Sequence, residues 1–234
     1  VLGIIANGRT RNGLELRDSA RTDRPKVFAE AVRVVEYLGG VVGKYGDVAF
    51  PYDATEVLRE LLTRGCLPDT VTHQYYPTPP AVADVVMEMA GIEPSDSVLE
   101  PSAGQGAIAD RVAAAGADLT CIELSAIHAA VLRAKGHSVV EEDFLAWAPA
   151  QLGRWRKIVM NPPFSEGRWQ AHLQAAAGLL GDGGRLVAVL PASATGKQVL
   201  AGFRLDWSAA LAAELSGASV DVVVLSATRL GDAA

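Results

Sequence analysis

Apolar residues between positions 81 and 225 occur in two patterns, at helical spacing over several turns and in short runs typical of buried strands. The helical pattern predicts helices in 81–91, 107–116, 125–136, 169–181 and 207–217. The short runs predict strands in 97–101, 119–124, 137–143, 157–164, 184–191 and 220–226. Because helices and strands alternate, we expect an α/β fold with a doubly wound, mostly parallel sheet of the Rossmann-like type.

Residues 1–73 are richer in polar residues and turn signals, and they predict a small N-terminal module of α+β type. Asn12-Gly13 predicts a β-hairpin. Apolar residues at helical spacing predict helices in 27–38 and in 54–65. The sheet predicted above then forms a second domain over residues 74–234.

Composition and charge narrow the class of protein. No apolar run approaches the roughly 18 residues of a membrane span, and no signal-peptide pattern opens the chain. The 21 basic and 27 acidic residues give a net charge of −6, which disfavours non-specific coating of nucleic acid but allows a local basic patch. Cys66, Cys121 and the four histidines lack metal-ligand spacing, so we expect a cytoplasmic protein with reduced thiols and no metal. His128 is expected on a helix surface.

A glycine-containing loop, residues 100–106, lies between the first predicted strand of the sheet and the next helix. Ligands of such sheets bind beyond the carboxyl ends of the strands. Gly104 and Gly106 allow close approach of the backbone, and the helix start supplies free N–H donors. Ala109 stands where dinucleotide-binding folds often carry a third glycine, so the loop alone fits NAD, FAD or S-adenosylmethionine.

Two acidic positions follow the next two predicted strands. Glu123 comes about 20 residues after the glycines, where a carboxylate accepts hydrogen bonds from both ribose hydroxyls of a nucleotide. Asp143 can accept from an exocyclic amine, while Phe144 covers the flat face of a base. The neighbouring acids Glu141 and Glu142 leave the register of this second position open.

The segment Asn161-Pro162-Pro163-Phe164 ends the fourth predicted strand and carries the most specific chemistry. The prolines fix φ, remove two N–H donors and favour extended backbone with its carbonyl groups turned outward. The Asn161 side-chain oxygen and the Pro162 carbonyl then match the two hydrogens of a planar NH2 group. Drawing these hydrogens out of plane localises the nitrogen lone pair for attack on a sulfonium methyl group, and Phe164 offers a face to an unstacked base.

Residues 74 to about 225 resemble the amino-methyltransferases, specifically the N6-adenine DNA methyltransferases of γ-type motif order, as encoded by phages and plasmids. The similar segments are 74–79 (QYYPTP), 100–106, Glu123, 143–144, 161–164 and 184–191. The resemblance implies the Rossmann-like fold of S-adenosylmethionine-dependent methyltransferases and makes 161–164 the catalytic loop. It implies that S-adenosylmethionine is bound by Tyr76, Thr78, Glu100, Ser102, Ala103, Gly104, Gly106, Glu123, Leu124, Asp143, Phe144 and Asn161. Among these, Thr78 would contact its methionine end, Glu123 its ribose and Asp143-Phe144 its adenine.

The implied substrate is the N6 amine of adenine in DNA. Related enzymes usually carry a large target-recognition domain, whereas only about nine residues follow the last predicted strand here. Recognition would come from residues 1–73, from loops 164–169 and 192–206, or from a separate specificity subunit. These loops contain basic and aromatic residues suited to phosphate contact and stacking, namely Arg168, Trp169, Lys197, Phe203 and Arg204.

Three alternatives remain open at the level of sequence. Similar loops serve methyltransferases that act on RNA, including guanine N2, or on protein glutamine, because each target is a planar NH2 group. A non-catalytic methyltransferase-like subunit is disfavoured by the intact Asn161, Gly104 and Gly106. A NAD(P) oxidoreductase is disfavoured by the proline loop and by the lack of a positioned Tyr-Lys or His-Asp pair.

Overall fold

The computed structural model describes residues 5–10, 13–16, 25–67, 76–152, 155–215 and 218–230. Its N-terminal elements are β1 (Ile5–Thr10), β2 (Gly13–Leu16), α1 (Pro25–Tyr37), β3 (Val41–Val42), β4 (Asp47–Ala49) and α2 (Thr55–Arg64). The strands form an antiparallel sheet in the order β1-β2-β4-β3.

The N-terminal elements agree with the sequence patterns. Thr10 pairs with Gly13, so β1 and β2 form the predicted hairpin, although its turn residues 11–12 lie outside the described residues. Both predicted helices are present as α1 and α2. The proposed domain boundary after residue 73 also falls outside the described residues and stays a prediction.

The remaining elements build a larger sheet with helices on both faces. They are α3 (Pro80–Ala90), β5 (Ser97–Glu100), α4 (Ala109–Ala114), β6 (Asp118–Glu123), α5 (Ala126–Ala134), β7 (Ser138–Glu141), α6 (Phe144–Trp147), β8 (Trp155–Met160), α7 (Arg168–Gly178), β9 (Leu180–Pro191), β10 (Phe203–Trp207), β11 (Leu211–Leu215) and β12 (Ala218–Arg229). The order is β10-β12-β9-β8-β5-β6-β7, with β11 also paired to β12. The strands β5 to β9 run parallel, and β12 runs antiparallel to its neighbours.

Buried residues on both faces of the central strands explain why these strands read as continuous apolar runs. In β5, Val98 packs against α3 and α4, whereas Leu99 packs on the opposite face with α6 and α7. In β8, Val159 and Ile158 are divided in the same way. Successive strand side chains point to opposite faces, and a sheet covered by helices on both sides buries them all. The predicted doubly wound α/β fold is confirmed.

The N-terminal elements pack against α5 of the larger sheet. Leu38, Val57 and Leu61 share one buried cluster with Ile127 and Val131. Apolar burial of this kind stabilises the contact by about 25 cal/mol per Å² removed from water. Helix α5 is therefore held by the large sheet on one side and by the N-terminal elements on the other.

The helix predicted in 207–217 is wrong. Residues 203–207 and 211–215 form β10 and β11, and Leu211 to Leu215 pair antiparallel with Val222 to Ala218. β11 continues the edge of β12 that β10 occupies, opposite β9, and pairs with residues 218–222 there. The backbone groups on that edge of β12 need a partner, and this requirement overrides the helical spacing of an alanine-rich segment. In the described part of the chain, no helix is both long and apolar enough to cross a membrane.

Candidate active site

A cleft of about 640 Å³ opens where β5, β6 and β8 end. Parallel strands bring their carboxyl ends to one edge, which is where ligands of such sheets bind. Residues from all three strand ends meet in this cleft, together with the segment before α3. Its lining comprises Tyr76, Pro77, Thr78, Glu100, Ser102, Ala103, Gly104, Gln105, Ala107, Glu123, His128, Asn161, Pro162, Pro163 and Phe164.

The glycine loop has the backbone geometry that only glycine adopts readily. Gly104 and Gly106 have φ values of 55° and 93°. A Cβ at Gly106 would lie 3.0 Å from Leu132 Cδ2 and 3.1 Å from Asp110 Oδ1, so the loop also packs closely against its surroundings. Both requirements account for glycine at this position, and Gly104 lines the cleft.

The Glu123 carboxylate is fixed by two backbone donors. Its Oε2 accepts a hydrogen bond from Gly104 N at 2.7 Å, and its Oε1 accepts one from Ser125 N at 2.7 Å. The residue is buried and lines the cleft. A carboxylate oxygen accepts more than one hydrogen bond, so each oxygen retains capacity toward the cleft.

Glu100 is the buried acid at the end of β5. Burial, followed by the nearby negative charges of Asp110 and Glu123, raises its pKa well above the usual range. Its Oε2 is buried and has no hydrogen-bond partner among the described residues. Glu100 nevertheless lines the cleft. A buried acceptor without a partner is costly, and a cationic or N–H donor entering the cleft would satisfy it.

A second, adjoining cavity of about 490 Å³ contains the predicted adenine contacts. Leu124 lines this cavity and is 52% exposed, so its side chain is available for contact with a ligand. Asp143 lines the cavity, but its Oδ1 also caps α6 by accepting from Leu145 N at 2.8 Å. Phe144 is only 3% exposed, so most of its ring packs into the core.

The competing acids at the end of β7 are partly separated by the structure. Glu141 forms an ion pair with Arg133 at 2.9 Å on the surface. Glu142 lines the second cavity together with Asp143. Glu141 is therefore committed elsewhere, and the assignment lies between the other two acids.

Asn161, the first residue of the predicted catalytic loop, is held by its amide nitrogen. Nδ2 donates to Thr78 Oγ1 at 3.1 Å and lies 3.5 Å from the Tyr76 carbonyl oxygen. The Tyr76 carbonyl can only accept, so it orients the amide with Nδ2 toward this side and leaves Oδ1 on the other side, and the Thr78 hydroxyl accepts from Nδ2 as well. Thr78, predicted to contact a methionine group, thus touches Asn161 directly. Phe164 is partly buried against the core cluster of α3.

Two histidines of the site were not identified from the sequence. His128, expected on a helix surface, is 1% exposed and lines the cleft, so that prediction is wrong. It lies in the first turn of α5, close after Glu123, and this position in the sequence could have indicated that it lies near the site. His172 lines the second cavity, where its Nδ1 lies 3.3 Å from Ser102 Oγ. Burial lowers the pKa of His172 to about 4, so it is neutral near pH 7.

The loops proposed for recognition have mixed environments. Trp169 and Phe203 are partly buried and pack on the core, and Arg204 pairs with Asp206 at 3.4 Å. Arg168 is exposed and lines the second cavity, and Lys197 is exposed. The two aromatic residues therefore have packing roles that the sequence did not indicate. Among the residues described, no group of His, Cys, Asp and Glu side chains could hold a metal ion.

Several solved structures share this fold. A proposed RNA methyltransferase from Pyrococcus horikoshii has a TM-score of 0.58 at 17% identity, covering 75% of this chain and 99% of its own. TrmN from Thermus thermophilus has a TM-score of 0.51 at 21% identity, covering 93% and 81%. A modification subunit of a proposed type I restriction enzyme from Vibrio vulnificus has a TM-score of 0.55 at 16% identity, covering 74% and 48%.

No protein-family model and no curated protein matches the sequence. At these low identities the solved structures establish the fold alone, which is a Rossmann-like fold that this chain shares with a solved methyltransferase structure. The fold implied by the sequence resemblance is therefore confirmed.

Proposed function

We propose that this chain uses S-adenosylmethionine to methylate the exocyclic N6 amine of adenine in DNA. The observation that carries the proposal is the Asn161 amide, whose nitrogen is engaged by Thr78 Oγ1 and faces the Tyr76 carbonyl. This arrangement presents Oδ1 as an acceptor in a cleft that also contains the glycine loop and Glu123. Acceptor and nucleotide-binding features thus share one site.

The residues of the cleft fit the proposed cofactor. Glu123 would accept hydrogen bonds from the ribose hydroxyls, and Leu124 would cover the adenine, with Asp143 at its edge. The partnerless Oε2 of Glu100 would accept from the cationic amino group of the methionine moiety. When bound, S-adenosylmethionine supplies an electrophilic methyl group on a positively charged sulfur.

The protein would contribute alignment and electrostatics. Asn161 Oδ1 and the Pro162 carbonyl would accept the two N–H groups of the target amine, which draws the hydrogens out of plane and localises the nitrogen lone pair. Phe164 would support the face of a base taken out of its stack. The amine becomes acidic only once methylated, so water can take its proton, and the nearby neutral His172 need not act as a base.

The choice of DNA adenine rests on the 74–79 segment, whose described residues Tyr76 and Thr78 hold Asn161, and on the aromatic Phe164. The acceptor pair itself suits any planar NH2 group. Guanine N2 or adenine N6 of RNA and glutamine of a protein are therefore competing outcomes of the same test.

The deciding experiment supplies radiolabelled S-adenosylmethionine with duplex DNA, structured RNA and protein in parallel, followed by digestion and mass spectrometry. We expect label in DNA, as N6-methyladenine. Label confined to RNA or protein would contradict the DNA assignment, and no label with failure to bind S-adenosylmethionine in calorimetry would contradict the enzyme.

Replacing the acceptor tests the mechanism within the same assay. Asn161→Ala should reduce transfer by at least about 100-fold, the scale seen when a positioned polar group is removed from a catalytic site. Cofactor affinity should stay within about twofold, because the residue is proposed to touch the target amine. Near-normal turnover by this variant would refute the role of Asn161.

A further inference from the structure

Helix α1 of the N-terminal module reaches the cleft through two polar contacts. The Tyr37 hydroxyl lies 2.7 Å from His128 Nε2, and the two rings are stacked with centroids 5.9 Å apart. Gln105 Nε2, from the glycine loop, donates to the Tyr37 carbonyl at 2.8 Å. One residue of the module therefore contacts both the glycine loop and a residue that lines the cleft.

His128 connects this contact to the proposed ribose acid. Its Nδ1 lies 3.7 Å from Glu123 Oε1, and the residue is almost fully buried. Glu123 already accepts hydrogen bonds from two backbone N–H groups. A carboxylate favours the His128 tautomer that carries its proton on Nδ1, which leaves Nε2 as an acceptor.

The Tyr37 hydroxyl has the complementary character. Burial and the negative charge of Glu123 raise the pKa of Tyr37 to about 12. Its hydroxyl is thus protonated across the physiological range and can donate to Nε2 of the His128 tautomer that carries its proton on Nδ1. Tyr37, His128 and Glu123 form a polar chain in which the module fixes the imidazole, and the imidazole faces the carboxylate.

The position of Tyr37 is itself secured by packing. Leu38, the next residue, lies in the buried cluster that includes Ile127 and Val131 of α5. The Tyr52 hydroxyl donates to the Leu38 carbonyl, which anchors the end of α1 within the module. Since α5 also carries His128, the module docks on the helix that presents the imidazole to the cleft.

We infer that the N-terminal module is part of the cofactor site, with Tyr37 as a positioning residue that acts through His128 to orient the Glu123 carboxylate toward the cofactor ribose. This inference rests on the proposed function, because it assigns the ribose to Glu123. It gives the module a role beside or instead of substrate recognition.

Calorimetric titration with S-adenosylhomocysteine tests the inference without requiring turnover. Tyr37→Phe removes the hydroxyl and keeps the ring, and it should weaken binding about three- to tenfold, the value of one hydrogen bond. Tyr45→Phe is the control, because it makes the same chemical change in the same module at a ring that is 76% exposed. Thermal unfolding of both variants measures how far each change destabilises the fold.

A double-mutant cycle with Glu123→Gln separates positioning from general weakening. If Tyr37 acts through Glu123, the effect of Tyr37→Phe should shrink to less than about 1.5-fold in the Glu123→Gln background. Equal losses of affinity in Tyr37→Phe and Tyr45→Phe, or an undiminished effect in the double variant, would overturn the inference. Failure of the unmodified protein to bind the ligand would instead overturn the proposed function, and the inference with it.

Discussion

Replacing Thr78 by valine tests whether the segment before α3 aligns the catalytic amide. Valine keeps the β-branched shape and removes the hydroxyl that accepts from Asn161 Nδ2 at 3.1 Å. The amide then loses one of the two acceptors that define its orientation. A rotated amide would place an N–H group where the target amine needs an oxygen.

The size of the effect follows from the two contacts. One neutral hydrogen bond contributes about 0.5–1.5 kcal/mol net, which corresponds to about a two- to twelvefold change in rate. The remaining contact of Asn161 with the Tyr76 carbonyl is 3.5 Å long, at the weak limit of hydrogen bonding. It therefore restrains the amide only weakly, and we expect kcat to fall toward the upper end of this range.

The assay compares kcat for methyl transfer with the dissociation constant for S-adenosylmethionine. Thr78→Val should lower kcat while changing the dissociation constant less than about twofold. Thr63→Val is the control, because it removes an exposed hydroxyl that donates to Arg59 O on α2. A weakened cofactor complex with unchanged kcat would refute the alignment argument and favour a direct contact of Thr78 with the methionine end.

Three further predictions concern the rest of the site. Phe164→Ala should weaken binding of a duplex containing the target base by about 1–3 kcal/mol, as for stacked bases, and unchanged affinity would exclude stacking. Glu100→Gln should stabilise the unliganded protein by about 1–3 kcal/mol at pH 8, because burial opposes the ionisation of the acid that it removes. The same variant should weaken S-adenosylmethionine binding, and a lower thermal stability would contradict this account. The folded pKa of His172, about 4, lies below the unfolded value of about 6.5, so unfolding takes up a proton between these values. The free energy of unfolding should therefore fall as the pH drops from about 6.5 to 4, by about 2–3 kcal/mol more than in His172→Gln. If urea unfolding at about pH 7 and about pH 4.5 shows the same loss of stability in both proteins, this prediction is wrong.

Much of the fold follows from local periodicity. In strands 97–100 and 155–160, consecutive apolar residues (Val98-Leu99 and Ile158-Val159) are buried on opposite faces of the sheet, and these short runs identify the strands. The meeting of Glu100, Glu123 and Asn161 also follows, because residues that end parallel strands share one edge of the sheet. Local sequence therefore specified both the scaffold and the candidate residues on it.

The failed helix in 207–217 shows the limit of this reasoning. Its alanine and leucine spacing satisfies a helix, yet Ser208 N donates to Val224 O, and Leu211 faces Val222 across a ladder. The requirement comes from β12, whose residues 218–222 need a backbone partner on the edge that β10 occupies farther along the strand. Such a requirement exists only once the strands are assembled, so periodicity within one segment does not reveal it.

The sequence patterns did not identify Tyr37 and His128 for the same reason, because their roles depend on the assembled fold. Ninety-one positions separate them, and neither belongs to a spacing motif. The available signal for His128 was its position in the first turn of the helix that follows Glu123, where helix residues lie close to the end of the preceding strand. Nothing comparable marks Tyr37, because its role depends on how α1 docks on α5.

The two groups proposed to act on ligands share one physical property, namely that neighbours restrain each from one side. Backbone donors hold the Glu123 carboxylate, and Thr78 engages the Asn161 amide nitrogen. The entropy of ordering these side chains is therefore lost during folding and need not be lost again when ligands bind. Thr78 and Tyr37 both lie outside the glycine loop and the proposed catalytic loop. In the proposed mechanism, the alignment of the reacting groups therefore depends on segments that carry none of the chemistry. Variants in those segments should separate alignment from binding.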